Sequence, residues 1–295
     1  MTTTLKTKQM ETLRASLPLH GWLGLALIVI FWALNWTLSG LRTHWGFFPL
    51  WLGYCLTLDG LVYWRTGTSL LTRSPRKYVG LFFVSSPVWW LFEFLNVRTQ
   101  NWEYLAVEYF SPLAYAFWTT LCFTTVIPAV FGSAELFASF DFVKRLRRGP
   151  VVGTDSRTTL FFFILGWVML ILMWLWPEIF FPFLWLSVFF ILEPINVWMG
   201  NRSLAFWTQR GDWRPVISLW LGVLLTGFFW EMWNFYSFPK WIYHVPWGNW
   251  LHVFEMPLLG YGGYLPFALE LYALYHLISG LFGNKRSDYV KVMPE

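Results

Sequence analysis

Glu93 and Glu231 stand in equivalent settings inside long apolar runs. Each is followed three residues later by Asn (Asn96, Asn234) and then, after five or six residues, by Trp-x-Tyr (Trp102, Tyr104; Trp241, Tyr243). Other acids recur in the same order: Asp59 with Glu193, and Glu135 with Glu270. A charged carboxylate at the centre of a bilayer costs on the order of 2.5–3.5 kcal/mol. One Leu or Phe returns only about 0.3–0.6 kcal/mol. Each acid must therefore be protonated, paired or turned toward a polar cavity. Carboxylates held in that way suit proton transfer, one acting as acid and another as base.

Each position also has a structural explanation. Glu135 lies nine residues before Lys144 and fits a solvated edge. Asp59 and Glu193 sit toward the ends of their runs, where an Arg of the next loop could tie them down. Asn96 and Asn234 share a helical face with Glu93 and Glu231, so a Glu–Asn clasp is open to both. Glu270 lies midway along its run with no basic residue nearby, and resists such an explanation.

The 23 Trp residues divide in two. Many lie at run ends, where indole favours the membrane interface. Others flank the acids: Trp89 and Trp90 precede Glu93, and Trp230 and Trp233 bracket Glu231. Aromatic faces stabilise cations, by about 2 kcal/mol or more when dry. Between residues 236 and 256, His244, His252 and Glu255 follow no metal-binding spacing, and no metal or other cofactor is expected. No Walker loop, dinucleotide fingerprint or nucleophile elbow occurs. Cys55 and Cys122 fall inside apolar runs and read as small buried residues, not as a disulfide or metal pair.

The elements that must position these groups follow from composition. The 295-residue chain is 57% hydrophobic and only 13% charged, against about 25% charged in soluble domains. Eight apolar runs, 21–39, 46–64, 79–97, 112–137, 159–177, 179–199, 215–235 and 257–282, are each long enough to span. The first is too long for a removable signal peptide and lacks a cleavage site. Of the 21 Lys and Arg residues, only Arg42, Arg98 and Lys240 fall on one side; the positive-inside rule puts the others, with both termini, in the cytoplasm. These basic residues are spread over short loops, so a nucleic-acid partner is not expected.

The expectation is an all-α bundle of eight transmembrane helices. It would comprise a cytoplasmic segment 1–20, a four-helix half 21–143, a basic linker 144–158, a second half 159–283 and a cytoplasmic tail 284–295, in a bacterial-type inner membrane. An even number of spans per half makes the repeat parallel, with the halves related by an axis along the membrane normal.

From residue 230 onward the chain resembles the small integral membrane lycopene cyclases. It shows their order of acid, Trp-x-aromatic, proline, and Gly–Pro–Glu: Glu231, Trp241 to Tyr243, Pro246, Gly262 and Gly263, Pro266, Glu270. Glu93, Trp102, Tyr104, Pro112, Pro128 and Glu135 give a fainter echo, and the Trp-Glu also resembles membrane terpene cyclases of fungal meroterpenoid pathways. The family's paired Pro-x-Glu-Glu is absent, since Pro266 is followed by Phe-Ala-Leu-Glu270, and eight spans exceed the expected number. The resemblance implies an enzyme that cyclises or isomerises a hydrophobic isoprenoid or carotenoid. The catalytic candidates are Glu231, Glu270, Glu93, Glu193 and Asp59. The substrate-binding candidates are Trp90, Asn96, Trp230, Trp233, Asn234, Trp241 and Tyr243. A proton-coupled transporter or channel using the intramembrane carboxylates and a non-catalytic lipid- or pigment-binding protein remain open.

Overall fold

The computed structural model describes residues 16–146 and 148–293. Most of the expected N-terminal segment, with Lys6, Lys8 and Arg14, lies outside the described residues, as does Arg147. Each apolar run is helical. In chain order the helices are α1 (Leu19–Thr37), α2 (Thr43–Thr66), the single turn α3 (Leu70–Arg73), α4 (Pro75–Thr99), α5 (Pro112–Phe123), α6 (Val126–Ala138), α7 (Ser156–Leu175), α8 (Leu184–Met199), the single turn α9 (Ala205–Thr208), α10 (Arg214–Phe235) and α11 (Tyr261–Leu281), with two further single turns at Asp141–Lys144 and Pro177–Phe180.

The fourth run differs from expectation, since it breaks between α5 and α6. There Thr124 and Thr125 donate their hydroxyls to Leu121 O (2.6 Å) and Cys122 O (2.8 Å). Hydroxyls bonded back to the preceding turn interrupt the helical ladder. The sixth run begins in the single α-turn Pro177–Phe180 and passes through 3₁₀ geometry at Phe181–Phe183, where Pro182 has no amide to donate.

Six helical stretches are long and apolar enough to cross a membrane: Leu19–Thr37, Pro75–Thr99, Pro112–Ala138, Ser156–Leu175, Pro177–Met199 and Arg214–Phe235. The chain is an integral membrane protein. Helices α2 and α11, at 24 and 21 residues, match these in length but are less apolar, carrying Asp59 and Arg65 in one and Glu270 and His276 in the other.

Small residues let the helices approach closely, as apolar solvent requires. A Cβ on Gly24 of α1 would stand 2.6 Å from Gly53 O of α2. Likewise, one on Gly166 of α7 would meet the Ile191 amide of α8 at 2.8 Å. At the centre, Ser133 Oγ of α6 lies 2.9 Å from both Tyr54 OH of α2 and Thr226 Oγ1 of α10.

The two ends of the bundle differ in chemistry. One end gathers the basic loops and the C-terminal tail. Tyr289 O–H donates to Leu70 O at 2.7 Å, Arg73 Nε to Tyr289 O at 3.0 Å, and Arg202 N to Lys285 O at 2.6 Å. Asp155 caps α7 here, and the Thr158 hydroxyl and amide hold it below the ordinary carboxylate range. Asp212 is likewise held low, chiefly by hydrogen bonding from Arg214.

The opposite end carries two short antiparallel strand pairs. Strand β1 (Trp102–Tyr104) pairs with β2 (Trp241–Tyr243), with Glu103 opposite Ile242 at the centre. Strand β3 (His252–Val253) pairs with β4 (Met256–Pro257). The backbone bonds from Leu105 N to Lys240 O and from His244 N to Asn101 O, both 2.8 Å, extend the first pair at each end. This strand end forms the roof of the site.

Candidate functional site

Glu93 lies near the strand end of α4. Its Oε1 accepts from Trp89 Nε1 (2.8 Å), Trp102 Nε1 (3.1 Å) and Tyr104 O–H (2.6 Å). Glu231, in the matching part of α10, is fully buried; its Oε1 accepts from Tyr243 O–H (2.7 Å) and Tyr264 O–H (2.6 Å). Trp241 Nε1 donates in turn to Tyr243 OH at 2.9 Å. Hydrogen bonds to a charged acceptor contribute about 1.5–3 kcal/mol each, so two or three offset the cost of either buried carboxylate. Glu231 Oε2 has no partner among the described residues.

The donors are delivered by the two strands, and the strands are fixed by Asn96 and Asn234. Asn96 donates to Trp102 O (2.8 Å) and accepts from Asn101 N (2.8 Å). Asn234 donates to Trp241 O (2.7 Å) and accepts from Trp241 N (3.0 Å). The Glu–Asn clasp is therefore replaced by an Asn–backbone clasp, in which each amide caps its own helix end by seizing the strand that follows.

The strand pair covers a cavity of about 460 Å³, lined chiefly by aromatic side chains. Its walls include Trp89, Trp102 and Tyr104 from the Glu93 cluster and Tyr243 and Tyr264 from the Glu231 cluster. Trp118, Trp185, Trp230, Trp241 and Trp247 complete much of the surface. The carboxylates stand behind the wall and reach the cavity through the phenols and indoles that they hold. Lys240 is the sole Lys or Arg in the described lining, and it pairs with Glu255. Outside, Glu103 and His244 pair at 2.8 Å on the exposed side of the strands.

Of the expected substrate-binding residues, Trp230, Trp241 and Tyr243 line the cavity. Asn96 and Asn234 do not, being consumed by the strand clasps. Trp90 also lies elsewhere: it is partly exposed and donates to Thr120 Oγ1 at 3.1 Å. Trp233 is buried against Trp51, with ring centres 5.1 Å apart.

Asp59 and Glu193 lie toward the basic end, away from this cavity. Asp59 accepts from Ser69 Oγ (2.7 Å) and Leu71 N (2.9 Å), and His20 Nε2 stands 3.1 Å away. Glu193 Oε1 accepts from Ala205 N at 2.7 Å. Each acid thus holds the first turn of the one-turn helix that begins about twelve residues later, where backbone amides are unpaired. The expected Arg partner goes instead to Glu135, which pairs with Arg73 and accepts from Lys291 N at 2.7 Å.

Glu270 is fully buried, and neither carboxyl oxygen has a partner among the described residues. No hydrogen bond joins it to Glu231. Tyr264, the Glu231 partner on the same helix, is six residues away, about 9 Å along the axis. The expected pairing of Glu231 with Glu270 in one proton cycle is replaced by Glu231 with two phenols.

Sequence reasoning placed Trp89 beside Glu93 without naming it a site residue, and missed Tyr264, His44, Asn101 and Lys240 as lining residues. The four-residue spacing of Trp89 from Glu93 was a usable signal, since such residues share a helix face. Tyr264 is 33 residues from Glu231, and nothing local announces that contact. Comparison with protein-family models, curated protein sequences and solved structures finds no match to this chain. The site must be read from its own chemistry.

Proposed function

We propose that this chain is a membrane enzyme that cyclises or isomerises a hydrophobic isoprenoid or carotenoid by acid/base chemistry at Glu231. The observation that supports this reading is the aromatic cavity whose wall carries two phenols hydrogen-bonded to one buried carboxyl group. A proton held at Glu231 passes through Tyr264 or Tyr243 to a substrate double bond. The cation so formed lies among indole faces, which favour it electrostatically. Loss of a proton from a neighbouring carbon restores the acid, and the product is an isomer of the substrate. The likeness to lycopene cyclases belongs to this proposal, and the aromatic wall is in keeping with it.

The proposal includes eight spans in two parallel four-span halves, with the basic end in the cytoplasm of a bacterial-type inner membrane. Its support is the matching of local bonds. Asp59 and Glu193 each hold a one-turn helix, and Asn96 and Asn234 each hold a strand. The antiparallel register centred on Glu103 and Ile242 is the one a two-fold axis along the membrane normal would generate. Reporter fusions after residues 150, 205 and 290 should all report cytoplasm.

A second reading, a non-catalytic pigment- or lipid-binding protein, draws on Glu93, whose Oε1 is saturated by three donors. Lipid extracts separate the two. A host that accumulates linear isoprenoids should gain a product of unchanged mass with the wild-type gene and lose it with Glu231→Gln. Unchanged extracts despite folded protein in the membrane would reject the enzyme and favour the carrier.

A further inference from the structure

The cavity wall is not uniformly apolar, and its polar groups divide into those already bonded and those left open. Trp89, Trp102, Tyr104, Tyr243 and Tyr264 spend their donors on the two carboxylates, and Lys240 on Glu255. Asn101 is different. It lines the cavity just before β1 and is 3% exposed, and its side-chain Oδ1 has no hydrogen-bond partner among the described residues. Its backbone is fully used: the amide donates to Asn96 Oδ1, and the carbonyl accepts from His244 N. The residue is thus held rigidly while its side-chain oxygen is left unsatisfied. His44, also in the lining, has no hydrogen-bond partner at Nδ1 among the described residues and packs edge-on against Phe110 and Trp118.

Resting on the reading of this cavity as an isoprenoid site, we infer that the substrate is a neutral isoprenoid alcohol, its hydroxyl bound by the Asn101 amide and its hydrocarbon chain by the aromatic wall. A buried amide offers both a donor and an acceptor. A hydroxyl group satisfies either, so the assignment holds whichever way the amide is turned. A pure hydrocarbon leaves that oxygen unpaired, and sites built to hydrogen-bond a hydroxyl discriminate strongly against analogues that lack it. Anionic head groups are disfavoured for a separate reason. Lys240, the sole Lys or Arg in the described lining, is neutralised by Glu255. A diphosphate would therefore lose its hydration and meet no free Lys or Arg in the described lining. His44 offers a second polar contact to the same class of ligand.

The test uses the full-length protein in detergent micelles, with quenching of its own tryptophan fluorescence as the readout. The probes are geranylgeraniol, geranylgeranyl diphosphate and squalene. Geranylgeraniol should bind most tightly. Asn101→Leu, which keeps the size and removes the amide, should weaken geranylgeraniol binding roughly tenfold and leave squalene unchanged. His44→Phe should weaken it less, because the ring contacts remain. Equal binding of squalene and geranylgeraniol by the wild-type protein, or an Asn101→Leu variant with unaltered preference, would overturn the inference while leaving the isoprenoid cavity intact. Tighter binding of the diphosphate would overturn it in favour of an anionic substrate. Failure of all three probes would remove the isoprenoid reading itself. If Asn101→Leu does not fold, the wild-type preference for alcohol over hydrocarbon decides alone.

Discussion

The acids at the two ends of the bundle have the same chemistry and opposite surroundings. At the basic end, Asp59 is bound by the Leu71 amide, the Ser69 hydroxyl and His20, Glu193 by the Ala205 amide, and Glu135 by an arginine and the Lys291 amide, none of them lining the aromatic cavity. At the strand end, Glu93 and Glu231 are bound by phenol and indole groups that also form a cavity wall. A backbone amide cannot give up its proton, so an acid that it holds is a fastener. A phenol can give and receive one, so the acid behind it stays connected to whatever occupies the cavity. On the proposed reading, what separates the two sets is whether the donors that satisfy a carboxylate also line the cavity.

The sharpest test of this contrast is Glu231→Gln. On the enzyme reading, the amide keeps the shape, retains bonds to the phenols and loses the proton. Product formation should fall by about 10²–10⁴-fold, the usual contribution of a general acid, with little change in melting temperature. Full activity would place Glu231 with the fasteners.

Asp59→Ala should show the reverse phenotype. It orphans Leu71 N, held at 2.9 Å, at a cost of about 1–3 kcal/mol, and removes the 2.7 Å bond from Ser69 Oγ, which keeps its contact with Thr72 Oγ1. Melting in detergent should drop by several degrees, while product formed per folded molecule stays unchanged. A loss of activity without a loss of stability would erase the distinction between the ends.

A finer comparison lies within the strand end. Tyr264→Phe removes one of two phenols from Glu231, and Tyr104→Phe removes one of three donors from Glu93. Turnover should fall about tenfold in the first and remain near wild type in the second, with each losing on the order of 1 kcal/mol of stability. Equal kinetic effects would mean that both carboxylates take part.

The smallest effect is expected at Asp212, outside the membrane. Its folded pKa lies below the unfolded value of about 3.9, so its contribution is complete above that pH and is lost as pH falls through the folded value. The group is partly exposed, and screening limits the contribution to about 0.5 kcal/mol. Melting measured between pH 6 and pH 3 should show a slightly shallower acid loss for Asp212→Asn than for wild type. An identical curve would show that the Arg214 contact adds nothing.

Much of this molecule is written locally in the chain. Apolar runs of about 20 residues become helices because a bilayer leaves no other way to satisfy their backbone groups. The repeated Glu, Asn and Trp-x-Tyr come together at the strand end for a local reason as well: an Asn near a helix end and the strand just after it are too close in sequence to miss one another. The end of a run was harder to read where hydroxyls or proline intervened, as at Thr124, Thr125 and Pro182.

Tertiary structure alone decided which acid serves which purpose. Asp59, Glu93, Glu193, Glu231 and Glu270 look alike in sequence, each a carboxylate among apolar neighbours. Their partners come from the following turn, from a strand, from another helix or, for Glu270, from none of the described residues. Tyr264 reaches Glu231 because α10 and α11 pack side by side, and β1 meets β2 although nearly 140 residues separate them. Hydrophobic burial fixes which segments are helical but carries no direction. The directional bonds that set a carboxylate's chemistry appear only when distant segments are brought into register.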